Sequence, residues 1–219
     1  RCGPQSLLQG RNAIAGTLAI KTRDPSWEPE GSVRLLAGNR DRRQAAFAVS
    51  GPLAGDQIAF RIAGDVQRQH SYLDFTPFPG ASDPGEFETR TLRGKLLFKP
   101  DALPDLSALL TFQHAQSRAP QLESESRPFG EKHNSTPEMP VFTNRTNALI
   151  ADTQWRLDDR LHWNNLISTT DLRVQRFAPM GTGVVNIDNR EYVLEPKLVL
   201  EKGDTRTSGI FGAYFFRAK

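Results

Sequence analysis

The chain has 219 residues, of which 37% are hydrophobic, and its mean hydropathy of −0.50 is that of a polar protein. No apolar run approaches the roughly 18 residues of a transmembrane helix, which excludes one. The net charge of +3 is small and its basic residues are scattered, so nothing points to a nucleic-acid partner. The one cysteine, Cys2, excludes an intrachain disulfide and is expected to have no mechanistic role.

The first 25 residues combine a polar turn, a glycine-punctuated stretch and a short strand. Gly10 and Gly16 suit backbone positions with positive φ or close approach to another chain. Residues 17–22 alternate as a strand, and the Asp24-Pro25 pair ends it.

The order of these residues closely resembles the C-terminal end of the plug domain in TonB-dependent outer-membrane receptors. The matching positions are Gly3, Pro4, Gln5, Ser6, Gly10, Arg11, Asn12, Ala13 and Gly16. One position departs: the family has an arginine directly before Gly-Pro-Gln, and here Cys2 stands there, with Arg1 one place earlier. The plug-to-wall contact ascribed to that arginine is therefore not implied for this chain.

From Gly31 onward, nine segments alternate between apolar and polar residues. They cover about 32–37, 44–51, 58–67, 92–99, 106–113, 149–157, 161–175, 192–201 and 210–216. A period of two predicts strands with one apolar and one polar face. Several are longer than the average soluble strand and reach the nine to eleven residues or so of a tilted transmembrane strand.

The links between these segments differ regularly in length. Short links at 54–56, 100–105, 158–160 and 203–205 alternate with long ones at 72–88, 119–141 and 177–189, after a first short turn at 39–43. Outer-membrane barrels have tight periplasmic turns and long outer loops, so this pattern favours a barrel over a soluble sandwich. Counting from the plug, the turn at 39–43 and the three long links fall on the outer side.

The predicted fold is all-β: a partial antiparallel transmembrane β-barrel, preceded by the tail of a plug domain. Its domains would be residues 1–25 (end of the plug), 26–31 (linker) and 32–219 (N-terminal part of the barrel). The resemblance implies about twenty-two strands, of which about nine are present. An open edge in lipid leaves backbone groups unsatisfied, so we expect a fragment that is not a working transporter alone.

Residues with catalytic or metal-binding chemistry form no recognisable pattern. His70, His114, His133 and His162 are scattered and lack metal-ligand spacing. No nucleophile elbow, phosphate loop or dinucleotide fingerprint occurs. We therefore expect no enzyme activity, no metal site and no cofactor.

Aromatic residues gather near the predicted strand ends, as in the interfacial girdles of barrels, with loop packing as the alternative. They are Trp27, Tyr72, Phe75, Phe78, Trp155, Trp163 and Phe177. The long outer loops also hold the candidates for ligand contact: Tyr72, Phe75, Phe78, Phe129 and His133.

Charged residues alternate with the apolar ones, and facing lipid would be costly for them. They are Arg61, Asp65, Arg93, Lys95, Asp152, Arg156, Glu195, Lys197 and Glu201. We expect them on the inner face, either as a solvated wall with opposite-sign cross-strand pairs or along a substrate path.

The resemblance implies an outer-membrane receptor of a Gram-negative bacterium for a scarce large solute, by family frequency a ferric siderophore. Its implied partners are that solute, outer-membrane lipid and the TonB complex, which would pull a box upstream of Arg1. Two alternatives remain open. One is a soluble or surface-attached all-β adhesion module, and the other is a secreted hydrolase using a carboxylate pair such as Glu195 and Glu201.

Overall fold

The computed structural model describes residues 21–202 and 207–219, so the predicted plug motif from Gly3 to Gly16 lies outside the described residues. Ten strands follow one another: β1 (Glu30–Ala37), β2 (Arg43–Ala54), β3 (Ile58–His70), β4 (Glu86–Phe98), β5 (Leu106–Pro120), β6 (Val141–Arg156), β7 (Leu161–Phe177), β8 (Val185–Leu200), β9 (Gly209–Gly212) and β10 (Phe215–Ala218). Within residues 21–202 and 207–219, no helix is long and apolar enough to cross a membrane.

The strands form one antiparallel sheet in chain order from β1 to β8, and β9 and β10 both pair with β8. Among the described residues no second sheet covers either face. This single layer, with the strand order of a meander, confirms the predicted part of an antiparallel barrel and contradicts a two-sheet sandwich.

The two faces of the sheet differ as the alternation predicts. On β5, for example, Leu110 and Phe112 lie on one face and are 43% and 44% exposed, while Thr111 and Gln113 lie on the other. We call the first the outer face. Its apolar belt consists of Phe60, Ile62, Val66, Leu92, Leu96, Phe98, Leu110, Phe112, Leu149, Ala151, Trp155, Trp163, Ile167, Tyr192, Leu194 and Leu198.

Cross-strand partners form rows that run across the sheet, and the apolar belt runs obliquely to these rows. The row through Tyr192 passes Leu149 and Phe112 and reaches Ile62 on β3. On β8 the belt ends at Tyr192, whereas on β3 it continues to Val66, four residues beyond Ile62. When strands are tilted, residues at the same height in a membrane are not paired with each other across the sheet. The belt therefore shifts along successive strands, and this offset indicates the strand tilt of a barrel.

Several strands extend further outward than the sequence pattern predicted. β4 begins at Glu86, β6 at Val141 and β8 at Val185, each six to eight residues before the first predicted apolar position. The third predicted long link, 177–189, is therefore only residues 178–184, and that prediction was wrong. The outer face of these extensions is largely polar, so the apolar belt does not continue along them.

The ninth predicted strand is divided into β9 and β10 opposite Pro196. Both pieces keep one register, since Gly212 pairs with Lys197 and Phe215 with Leu194. Between them, the Ala213 amide donates to the Pro196 carbonyl at 3.0 Å. Proline has no N–H to return to Ala213, so the ladder is interrupted there.

Apart from Ala59 on β3, the buried apolar residues of the described chain gather among the outer loops and at the start of β6. Leu73, Phe78, Ala81, Met139 and Val141 are all at most 6% exposed. Phe78, Ala81 and Val141 form one cluster, which joins loop 71–85 to the start of β6. This packing gives the long loops a defined shape above the sheet.

Two residues of the predicted aromatic girdle lie together at one end of the belt. Trp155 and Trp163 are direct cross-strand partners on the outer face, beside the short turn 157–160. Trp27 instead precedes β1, and Phe78 is buried in its loop, so neither contributes to a girdle.

Candidate functional site

The predicted inner-face charges do lie on the face opposite the apolar belt, but they pair differently from the expectation. Arg61 and Lys95 are direct cross-strand partners of like charge, which is unfavourable unless each is neutralised. Arg61 donates to Glu30 at 2.6 Å, and Lys95 donates to the Asp24 carboxylate at 2.8 Å. The neutralising carboxylates thus come from residues around the start of β1, not from neighbouring strands.

Residues 22–30, which lead into β1 and include its first residue, lie against the inner face of β2–β4. We call this segment the wall anchor, and Lys95 is its main contact on the sheet. The Lys95 side chain is only 7% exposed, and its Nζ also donates to the Thr22 carbonyl at 3.0 Å. The hydrogen bond from Lys95 holds the pKa of Asp24 below its usual value, and Lys21, 3.3 Å from the same carboxylate, lowers it further.

Ser50 forms the second contact of the wall anchor. It is buried, accepts a hydrogen bond from the Ser26 amide at 2.8 Å and donates to the Phe60 carbonyl at 2.7 Å. Because one hydroxyl links the segment to two adjacent strands, it fixes the height at which the chain enters the sheet.

Most of the other predicted inner-face charges have local partners. Arg93 donates to Gln113 at 2.7 Å, and Asp65 accepts from Gln44 at 2.6 Å. Lys197 pairs with Glu195 on the same strand, and Arg156 pairs with Asp105. These contacts describe a polar inner wall whose charges are mostly paired locally and which also binds the wall anchor at β2–β4.

The two long outer loops, 71–85 and 121–140, are joined by backbone hydrogen bonds. The Asp74 amide donates to the Lys132 carbonyl at 2.7 Å, and the Thr76 amide donates to the Pro137 carbonyl at 2.8 Å. Loop 121–140 also folds onto itself, since the Ser135 amide donates to the Ser124 carbonyl at 2.6 Å. The loops therefore form one outer cap above β3–β6.

Within the cap, the five candidate ligand residues divide into two groups. Tyr72 and Phe129 are 43% and 67% exposed, and His133 is exposed as well. Phe78 is buried, and the Phe75 ring lies so close to Gly85 that any Cβ there would clash with it at 2.8 Å. Tyr72, Phe129 and His133 are thus the three exposed members of the set, whereas Phe75 is half-buried and Phe78 is buried.

Arginines accompany both exposed rings. The Arg40 guanidinium lies 5.5 Å from the Tyr72 ring centre, and that of Arg127 lies 5.7 Å from the Phe129 ring centre. A cation over an aromatic face creates a surface that can take up both apolar and anionic parts of a solute.

Sequence reasoning treated His70 as one of four scattered histidines and missed its structural role. Its Nε2 lies 2.7 Å from an Asp83 carboxylate oxygen, and its amide donates to the Arg40 carbonyl at 2.9 Å. His70 thus links β3, the first outer turn and loop 71–85. No local spacing in the sequence connects position 70 with position 83 or 40.

Carboxylates and histidines do not converge in the described ranges 21–202 and 207–219, where no group of three or more metal-ligating side chains occurs. Glu195 and Glu201 were the candidate hydrolytic pair. They are six residues apart at the end of β8, about 20 Å along an extended strand, and Glu201 faces His162 at 3.6 Å. Carboxylate pairs in hydrolases lie within about 9.5 Å, so this pair is not one.

No protein-family model matches the chain. The ferrioxamine B receptor of Salmonella typhimurium is 41% identical over 76 residues, which are 34% of this chain and 10% of that receptor. The ferrioxamine receptor of Yersinia enterocolitica is 31% identical over 72 residues, 33% of this chain and 10% of that receptor. The matched stretch is thus about a tenth of the length of these curated relatives.

Solved structures match nearly the whole chain. The ferric yersiniabactin uptake receptor of Yersinia pestis superposes with a TM-score of 0.83 at 22% identity, over 99% of this chain and 35% of that one. The ferric-catecholate import receptor of Escherichia coli K12 gives 0.76 at 14% identity over the same shares. The chain therefore resembles siderophore receptors in sequence over a third of its length, and it has the fold of one part of the barrel of TonB-dependent receptors.

Proposed function

We propose that the chain forms part of a receptor in the outer membrane of a Gram-negative bacterium that takes up a ferric siderophore. The observation that carries the proposal is the apolar belt, which leaves large side chains such as Phe112 exposed on a sheet that has no second layer among the described residues. Lipid on the outer side and water or a plug on the inner side account for both faces of the same strands.

The proposed ligand site is the exposed surface of the cap, at Tyr72, Phe129 and His133. Two observations support it: these side chains are exposed, and an arginine lies over each of the two rings. The curated relatives are named for ferrioxamine, so ferrioxamine B is the first solute to test. In a whole receptor the plug would complete the site from below.

The proposed transport step is movement of the plug, driven by the TonB complex, with no covalent chemistry. The wall anchor would stay with the barrel during this movement, because Lys95 and Ser50 hold residues 22–26 to β2–β4. TonB would thus act on the part of the plug that precedes Thr22.

The proposal is tested by iron uptake. Cells of an iron-starved Gram-negative strain without its own ferrioxamine receptors express the intact protein and receive radioactive ferric ferrioxamine B. We expect uptake that disappears in the matched strain without TonB. Ferric yersiniabactin and a ferric catecholate are supplied in parallel, and uptake of none of the three would contradict the proposal.

The cap is tested with Tyr72→Ala and Phe129→Ala, using Leu122→Ala as the matched control. Leu122 lies in the same loop as Phe129 and is 58% exposed. We expect each aromatic variant to weaken binding of the transported chelate by roughly tenfold, and the leucine variant to leave it unchanged. Equal effects of all three substitutions on binding would show that these rings of the cap are not the ligand site.

A further inference from the structure

Two arginines lie directly opposite each other on the outer face, beyond the apolar belt. Arg145 on β6 is the cross-strand partner of Arg173 on β7, and on its other side Arg145 is the partner of Gln116 on β5. Side chains that are direct partners have Cβ atoms about 5 Å apart, and like charges in such positions repel each other.

The acidic side chains around this pair are already engaged. Arg173 donates to Asp188 at 2.6 Å, and the diagonal neighbour Asp171 accepts from Arg190 at 2.8 Å. On β5 the diagonal neighbours of Arg145 are His114, which lies 2.7 Å from Asn147, and Arg118, which donates to the Asp83 carbonyl at 2.8 Å. Within the part of the chain that the structure describes, Arg145 has no acidic partner.

The height of this pair places it beside lipid headgroups. The belt ends at Leu149 on β6, and Arg145 lies four residues further out. Four residues span about 13 Å along a strand, or about 9 Å along the membrane normal at a tilt near 45°. The headgroup layer begins within that distance of the hydrocarbon edge.

We propose that Arg145 and Arg173, with Gln116, bind the phosphate of a phosphorylated lipid headgroup in the outer leaflet. A phosphate accepts paired hydrogen bonds from a guanidinium and would neutralise the charge of Arg145. Arg173 can donate to it through guanidinium N–H groups other than the Nε–H bonded to Asp188, and the Gln116 amide can donate a further bond. The acyl chains of the same lipid would lie on Phe112, Leu149 and Ile167 directly below. A soluble phosphate would lack this apolar contact.

The inference rests on the proposed outer-membrane location, but not on the identity of the transported solute. Its test uses the intact protein, extracted in a non-ionic detergent, with diphosphoryl lipid A as the probe. Native mass spectrometry counts bound lipid for the unmodified protein, for the double variant Arg145→Gln/Arg173→Gln, and for Arg34→Gln. Arg34 is the control because it lies on the inner face of β1, where its strand partner is Ala46.

We expect the double variant to bind diphosphoryl lipid A roughly tenfold more weakly, and Arg34→Gln to bind it unchanged. The unmodified protein should bind lipid A that lacks both phosphates as weakly as the double variant binds the intact lipid. Added inorganic phosphate should not displace the lipid. Equal binding of the phosphorylated and dephosphorylated lipids, or unchanged binding by the double variant, would overturn the inference.

Folding is monitored by the heat-dependent gel mobility of barrels. If the double variant fails to fold, the comparison of the two lipids on the unmodified protein still decides the question. Ferrioxamine B binding is measured on the same samples. Loss of that binding with normal lipid A binding would count against the proposed ligand and leave the lipid site standing.

Discussion

Each long strand has a lower half, next to the short turns and within the apolar belt, and an upper half, next to the outer loops. The two halves differ in composition, although one hydrogen-bonded ladder runs through both. On β8 the lower half presents Tyr192, Leu194 and Leu198 to the outside, and the upper half presents Arg190 and Asp188. The inner face of the same strand mixes polar and apolar residues at both heights. Pairing alone therefore does not determine which residues a strand tolerates; the solvent at each height does.

The sharpest test of this difference places the same charge at two heights on the outer face of one strand. Leu110→Arg lies within the belt of β5, and Gln116→Arg lies above it. We expect Leu110→Arg to destabilise the lipid-folded barrel by about 2–4 kcal/mol, because a cation near the bilayer midplane loses its hydration. Gln116→Arg should cost at most about 1 kcal/mol.

The measurement is denaturant unfolding of the intact protein refolded into lipid vesicles. If both substitutions cost the same, the surroundings at the two heights do not differ and the assignment of the belt to lipid is wrong. Leu110→Met serves as a control for changed packing, since it keeps the side chain apolar at similar volume.

A second prediction concerns the inner face at belt height, where a charge is tolerated because it is paired. Lys95→Met should loosen the wall anchor by about 1–2 kcal/mol, a figure kept low because Asp24 is partly exposed and regains water. Trypsin should then cleave after Lys21 and Arg23 roughly tenfold faster. Lys99→Met, at an exposed position directly after the end of β4, should leave cleavage unchanged.

The contrast between the halves explains which parts of the fold could be predicted. In the belt, apolar residues recur at nearly every second position, and the predicted segments 58–67, 92–99 and 106–113 lie within β3, β4 or β5 or end one residue beyond. Above the belt, the first eight residues of β6 are mostly polar and show no regular apolar alternation, so they carried no signal. The break between β9 and β10 depends on Pro196 across the ladder, which periodicity does not register.

The candidate site was predicted by residue type but not by partner. Lys95 was expected on the inner face, yet its bonds to Thr22 and Asp24 cross more than seventy positions of sequence. Among the loop aromatics, sequence could not separate exposed Phe129 from buried Phe78, because both follow proline in polar loops. Burial there depends on contact with Val141 on another strand.

A third prediction tests whether Pro196 alone interrupts the ladder within the belt. Pro196→Ala supplies an N–H that can donate to the Ala213 carbonyl, so amide exchange of residues 213–215 should slow. The gain of about 0.5–1.5 kcal/mol from the bond is offset by the lost stiffness of proline, which leaves a net change below about 1 kcal/mol. Pro179→Ala, in an outer loop, loses stiffness without gaining a ladder bond and should not protect these amides.

The smallest expected effect is the pH dependence of the wall anchor. The pKa of Asp24 is lowered in the folded state, first by the hydrogen bond from Lys95. A lowered pKa contributes stability at pH values above the unfolded pKa, near 3.9, and that stability is lost as pH falls through the folded pKa.

Hydrogen exchange of residues 22–30, corrected for intrinsic rates, should be constant between about pH 7 and 5 and increase below about pH 4. Asp24 is partly exposed, so the change should stay below about 1 kcal/mol. Asp24→Asn should remove this pH dependence of exchange. A loss of amide protection that begins above pH 5 would assign the pH dependence to another group.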